Sequence, residues 1–309
     1  MPGSRWDSLS GALNFCVTFL CVFILLEQMP NRSLGADGLV PAPVDISYTT
    51  AAERCAHTQT LPTDVSSYLQ YASRCLGENA PEMQMLDGDV LVMFHRLNEV
   101  RVEQGLAPVV WHPGAAEVAR LHGIDMLRRD YFSHQSLEGL RNDDRLRRLR
   151  RNEIFGYAGE NLAWYRDGWP ETYNPGLLQE QLELSPRHFD VMINADYSHA
   201  GAAIVRHGNT YVGVQVFLSA EGYLDENWPS RIFPGLTFDL PTELNGRPVG
   251  GWILERKNGE MLARGRTNRV IVPEVDGEGL VRLVVLVQAS RSHFLMLNGP
   301  VSDLATHAP

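Results

Sequence analysis

SPRHFDVMINADYSHAGAAIVRHGNTYVGVQVF, residues 185–217, holds a helix start and a strand pair in one short stretch. Ser185 suits the N-cap of a helix, and Pro186 suits its first position, where the missing N–H has no intrahelical partner to lose. Gly201 to Arg206 and Tyr211 to Phe217 read as strands, and His207-Gly208-Asn209-Thr210 makes the turn between them, which gives an antiparallel hairpin. Upstream, Asn161 to Tyr165 reads as a further strand. Helices with an antiparallel hairpin indicate an α+β or layered α/β/α domain.

Working outward, Val90, Met93, Phe94, Leu97 and Val100 recur at helical spacing behind Asp87 or Asp89 as N-cap, and Gly105 stops that helix. Trp111-His112-Pro113-Gly114 opens a second helix that runs to about Asp130. Its Ala116, Ala119, Gly123 and Met126 share one side, mostly small residues that let another element come close. Beyond Tyr223 the pattern changes. Trp228-Pro229 and Phe233-Pro234-Gly235 break the chain, and β-like runs follow at Leu236–Leu240, Val249–Glu255, Met261–Arg264, Val270–Val272 and Leu280–Gln288. Lys257-Asn258-Gly259 is a hairpin signal, since Asn-Gly accepts the positive φ of a tight turn. This part reads as a small all-β domain, sandwich-like or barrel-like.

The N-terminal end sets the compartment. Arg5 precedes an apolar run from Leu9 to Leu26, too long for an ordinary signal-peptide core and just short of a spanning helix. Either reading takes the chain out of the cytoplasm, secreted or membrane-anchored. The weak and distant cleavage sites after Gly35 and Ala36 favour an uncleaved anchor. In an exported chain Cys55 and Cys75, on either side of Leu61-Pro62-Thr63-Asp64, are expected to close a disulfide across a helical hairpin. The expected organisation is a signal or anchor segment over 1–29, a linker over 30–46 rich in Pro, Gly, Asn and Asp, the helical hairpin over 47–80, the α/β domain over 81–224 and the β-rich domain over 225–309. A net charge of −10 over 309 residues argues against nucleic acid as a partner.

Three short elements carry the chemistry: Tyr131-Phe132-Ser133-His134 after the second helix, Gly159-Glu160-Asn161-Leu162-Ala163 at a strand, and Ser185-Pro186-Arg187-His188 at a helix start. Two neutral imidazoles and a carboxylate are a natural ligand set for zinc or another divalent cation, and they also suit proton transfer. Ser185 and Ser198-His199 invite a hydrolase reading. No G-x-S-x-G elbow accompanies them, and Ser185 is better explained as a helix cap. The six arginines from Arg141 to Arg151 read either as a solvated helix face or as a site for anionic head groups or an acidic wall polymer.

In order along the chain, eight pieces resemble the CAP superfamily, the SCP-like or cysteine-rich secretory, antigen 5 and pathogenesis-related family, in its bacterial form. Leu97 to Arg101 resembles the opening N-x-x-R helix, Gly105 to Trp111 the G-L-x-P-L-x-W turn, and Ala119 to Met126 the A-x-x-H-x-x-D-M helix. Tyr131 to His134 resembles F-S-H, Asp144-Arg145-Leu146 resembles D-R-L, and Gly159 to Ala163 resembles G-E-N-[LI]-A. Ser185 to His188 resembles S-P-x-H, and Val212 to Phe217 the closing V-Q-x-F strand. The resemblance covers about two-fifths of the chain and says nothing of residues 1–80 or 225–309. It implies a three-layer α/β/α sandwich whose cleft holds His134, Glu160 and His188. For a second cleft acid, found in many eukaryotic members, Glu171 and Glu183 are the two residues available. Two departures bear on the groove wall: Leu182 stands where bacterial members usually carry Trp, and Arg187 where they often carry Gly.

The function these readings imply is an exported CAP-domain protein that binds a small amphiphile, such as a lipid or sterol, or another cell-envelope ligand in the cleft. Zinc or a similar cation is the implied cofactor, with His134, His188 and Glu160 as its ligands. The membrane is met through the N-terminal segment. The alternative is a metal-assisted hydrolase, a peptidase or esterase, in the same cleft.

Overall fold

The computed structural model describes residue 55 and residues 60–78, 80–168, 172–275 and 277–307. Among them the chain runs through α1 (Val65–Tyr71), a π-helical stretch (Ala72–Glu78), β1 (Gln84–Met85), α2 (Asp87–Glu103), β2 (Val110–Trp111), α3 (Pro113–Arg128), α4 (Asn142–Leu149) and β3 (Glu153–Arg166). It continues through α5 (Leu177–Leu184), α6 (Pro186–Met192), β4 (His199–His207) and β5 (Thr210–Tyr223). The rest is β: β6 (Arg231–Ile232), β7 (Thr237–Asp239), β8 (Glu243–Leu244), β9 (Arg247–Arg256), β10 (Met261–Gly265), β11 (Arg269–Ile271), β12 (Gly279–Gln288) and β13 (Phe294–Leu304).

The run Val212 to Leu218 is apolar at nearly every position because β5 is covered on both faces. Val212, Val214, Val216 and Leu218 pack with Ala115, Val118, Ala119 and Met126 of α3 and Leu146 of α4. On the other face Tyr211 and Phe217 pack with Met93 and Leu97 of α2, Leu178 and Leu182 of α5 and Met192 of α6. These are the two helical layers of an α/β/α sandwich, with β4, β5 and β3 antiparallel between them. The small side of α3 does what its composition indicates. A Cβ on Gly201 of β4 would lie 2.1 Å from the Ala116 amide nitrogen, so helix and strand touch backbone to backbone.

Helix starts differ from expectation in detail. Leu86 is the N-cap residue of α2, and Asp87 and Asp89 lie in its first turn, where carboxylates favour the helix dipole. His112 caps α3, its Nδ1 accepting from the Ala115 N–H at 3.1 Å. Ser185 does precede α6, but its side chain makes no capping bond, because the residue also terminates α5.

Residues Ser47–Pro309 form one compact unit. The β-rich C-terminal region continues the same sheet, in the order β1-β4-β5-β3-β13-β12-β9-β10. The join is narrow: β13 pairs with β3 only at Asn298↔Phe155. A second core lies beyond it, with Trp228, Trp252, Leu254, Val270, Leu283, Val285 and Leu297, and includes Ile154 from β3.

The arginine run is neither a solvated face nor a free basic patch. Arg145, Arg147 and Arg148 are buried. Arg147 donates to the carbonyls of Leu283 and Gly299 and to the Asn298 side chain, and Arg151 donates to the carbonyls of Trp228 and Pro229. The run thus joins the sandwich to the β region. Cys55 and Cys75 are disulfide-bonded and pack with Tyr68, Leu76, Leu121 and Ile124 over the outer side of α3. No helix among the described residues is long and apolar enough to cross a membrane. The apolar run from Leu9 to Leu26 and the linker lie outside the described residues.

Candidate functional site

The structure brings His134, Glu160 and His188 together. Glu160 lies on β3 and is 8% exposed. Its Oε1 accepts from His134 Nδ1 at 2.9 Å and its Oε2 from an Arg145 NH2 group at 2.5 Å. The rings of His134 and His188 are 6.5 Å apart, centre to centre. The two histidines come from opposite layers. His134 sits in the loop between α3 and α4, on the side of β3 that α3 and α4 cover. His188 is in the first turn of α6, on the side of α5.

Each side chain is held from behind. Arg145 of α4 also donates to the carbonyls of Leu140 and His134, at 2.8 and 3.3 Å, which ties the loop to Glu160. His122 of α3 contacts the Ser133 carbonyl through Nε2 at 3.0 Å. Asn161 Nδ2 donates to the His188 carbonyl at 3.0 Å, and a chain of buried amides continues from Asn161 through Gln215 to Gln179. Arg145, Asn161 and Gln215 therefore belong to the site's support, although sequence reasoning singled out none of them for it. The signal was present in the D-R-L and G-E-N-L-A elements, where Arg145 and Asn161 stand beside the residues that draw attention.

The electrostatics fix the tautomer. Burial pushes the Glu160 carboxyl up, but the Arg145 guanidinium, the His134 hydrogen bond and the nearby His122 and His134 outweigh it, so the carboxyl is held below its ordinary range. An ionised Glu160 requires a proton on His134 Nδ1, so Nε2 is the ring nitrogen that the carboxylate does not use. Burial, and then the neighbouring His134, lowers the pKa of His188 and keeps that ring neutral. His122 is pushed down to about 3, first by burial and then by Arg145.

The expected three-ligand metal set is altered by this geometry. Both Glu160 oxygens are engaged with protein donors, and no group of three or more His, Cys, Asp and Glu residues among those described is arranged to hold a metal. What fits is a two-imidazole arrangement, with Glu160 behind His134 as its orienting carboxylate. Glu183 does not supply a second cleft acid, because its carboxylate accepts from Arg96 and Gln179 instead. Glu171 lies outside the described residues. Leu182, which stands where bacterial members of the resembled family usually carry Trp, is buried in the core. Ser198 Oγ and His199 Nδ1 are 2.8 Å apart, away from the His134 pair at the start of β4.

The model of the cysteine-rich secretory protein family (CAP) matches residues 94–219, and this stretch is a CAP domain. An uncharacterised membrane protein of Bacillus subtilis, YlbC, is 37% identical over 110 residues, which cover 35% of this chain and 29% of that protein. The match thus spans under a third of the relative's own length. Similar solved structures include an outer surface protein of Borrelia burgdorferi, 18% identical with a TM-score of 0.39, covering 45% of this chain and 98% of that one. They also include an extracellular SCP-domain protein of Bacillus anthracis, 27% identical with a TM-score of 0.36, covering 43% and 41%.

Proposed function

We propose that the CAP domain is an extracytoplasmic binding module. Its cleft, between His134 and His188, takes a small amphiphile or another cell-envelope ligand, with zinc or a similar divalent cation held by the two imidazoles. The observation that carries this reading is the pairing of Glu160 with both His134 and Arg145. A carboxylate fixed by a buried arginine orients one imidazole, and a second neutral imidazole stands beside it. Membrane and extracellular relatives and the Cys55–Cys75 disulfide support a location outside the cytoplasm, where oxidised cysteines persist. A bound cation would supply a Lewis acid at the cleft, while Glu160, itself held by Arg145, takes the His134 ring by Nδ1 and leaves Nε2 for the cation.

The test is chemical analysis of protein purified from its native membrane. The expected result is a stoichiometric divalent metal or an extractable lipid that is lost in a folded His134→Ala protein. An empty wild-type protein would count against the binding module. The hydrolase reading draws on the same oriented imidazole. Turnover of peptide or ester substrates that His134→Ala abolishes would replace the binding module with an enzyme.

A further inference from the structure

The sheet has an unfinished edge inside the cleft. On one side β3 pairs with β5 along its length, from Glu153↔Tyr223 to Arg166↔Thr210. On its other side it pairs with β13 at Phe155 alone; the Gly156 and Gly159 carbonyls accept from the side chains of Asn298 and Asn142, and among the described residues 160–166 have no strand beside them there. The direction of the backbone groups follows from the outer strand. Leu86 and His112 donate to the carbonyls of Ile204 and Ala200, so the even-numbered residues of β4 point away from β5 and the odd-numbered ones towards it. Carried through Gly201↔Val216 and Asn161↔Gln215, this alternation turns Asn161, Ala163 and Tyr165 towards β5. It turns Glu160, Leu162 and Trp164 towards the open edge. Among the described residues these edge groups have no backbone hydrogen-bond partner. Leu162 packs its side chain in the core beneath α3 and α4, so what it offers the edge is its backbone N–H and C=O, which a strand partner would satisfy.

The edge runs between the histidines. Glu160 holds His134 from one layer and Asn161 holds the His188 turn from the other. Exposed apolar residues lie on the strand and on the two segments that carry the histidines: Trp164 on β3, 42% exposed, Phe132 two residues before His134, 48%, and Leu184 four residues before His188, 77%. A ligand that satisfies a donor and an acceptor on every second residue, and also offers side chains to apolar neighbours, is itself an extended polypeptide.

We propose that the ligand of this cleft is an extended polypeptide segment that adds to β3 as a strand along Glu160 to Trp164, with His134 and His188 on either side of it. This rests on the reading of the cleft as a ligand site and names the ligand's chemistry. The main chain supplies the hydrogen bonds, and apolar side chains meet Trp164 and Leu184.

The probe is a library of linear peptides displayed on phage and selected on the full-length protein. Selected peptides are then synthesised with single backbone N-methyl groups. Strand addition predicts that methylation at alternate residues weakens binding about tenfold or more, equivalent to ~1.4 kcal/mol, while methylation at the residues between is tolerated. Trp164→Pro removes an edge N–H that β5 does not use, so it should abolish binding that Trp164→Ala retains in part. In the free protein the Leu162 and Trp164 amides should exchange faster than those of Asn161 and Ala163, and peptide should slow them. The inference is overturned if no peptide is enriched over the bare support, or if N-methylation shows no alternation. If binding without alternation is still lost in His134→Ala and His188→Ala, the cleft reading stands and strand addition alone fails. Zinc or lipid bound at the cleft, with no peptide enriched, likewise leaves the cleft reading standing and overturns strand addition.

Discussion

Glu160 is the residue on which the cleft turns. With Arg145 it forms a buried ion pair that fixes both His134 and the loop carrying it. Removing one member of such a pair leaves the other charged and desolvated. Glu160→Ala should therefore cost about 3–5 kcal/mol of stability, and Glu160→Gln, which keeps an acceptor for His134, should cost less. Urea denaturation of both variants checks this, and equal losses would mean that Arg145 does not depend on the carboxylate. The buried histidines set the pH response. His122 and His112 are held at about 3 and about 4 in the folded protein, chiefly by burial, against an ordinary value of 6.5. Between those values the unfolded chain binds more protons, so stability falls as pH drops from 6.5 towards 4. Glu160, also lowered, adds a loss of the same sign as pH falls through its folded pKa. Melting temperatures across that range should fall less steeply for His122→Gln than for the wild type. An unchanged slope would show that His122 is not the group responsible.

At the scale of elements, the closest approach in the fold is α3 on β4. Gly201→Ala would push a methyl group into the Ala115–Ala116 backbone, which has no rotamer by which to yield. A loss of about 1–3 kcal/mol is expected, read as a lowered midpoint with an unchanged m-value. A neutral substitution would mean that the helix can lift from the sheet. The elements flanking the cleft were legible in the sequence because their signals are local: Pro186 opens a helix, Gly105 with φ +74° closes one, and β4 and β5 are joined by a turn. β3 is far longer than Asn161 to Tyr165. Its first half contains Gly156 and Gly159 and bulges near Phe155 and Ala158, which break the alternation by which a strand is recognised. β13 lies beyond the last β-like run recognised in the sequence, and its Asn298-Gly299-Pro300 carries no strand signal. The strand survives because it bulges at Gly299 and Pro300 opposite the single Leu283 of β12, and because Asn298 is bonded to Arg147 and Gly156. A tertiary contact overrides the local signal there. The inward turn of the arginine run escaped for the same reason, since its acceptors are carbonyls more than 70 residues away.

At the scale of the molecule, the composition break near Tyr223 does not interrupt the sheet. Arg147 and Arg151 find their acceptors in the β region, and Asp144 pairs with Lys257 and Arg282 there. A fragment of residues 81–224 keeps the cleft but strands these buried guanidinium groups, and it also loses the Cys55–Cys75 segment. The fragment is expected to melt well below the 47–309 unit, which calorimetry on the two would show. Equal melting temperatures would instead make the sandwich independent of everything around it.

The central claim is that His134 and His188 converge on one binding cleft with Glu160 as orienter. Calorimetric zinc titration of the wild type, His134→Ala, His188→Ala and Glu160→Gln tests it most directly, with circular dichroism confirming that each is folded. The account predicts one site in the wild type, loss of binding in either histidine variant, and binding weakened about 10- to 100-fold in Glu160→Gln, as for a group that orients a ligand without being one. Folded histidine variants that bind zinc as the wild type does would contradict it.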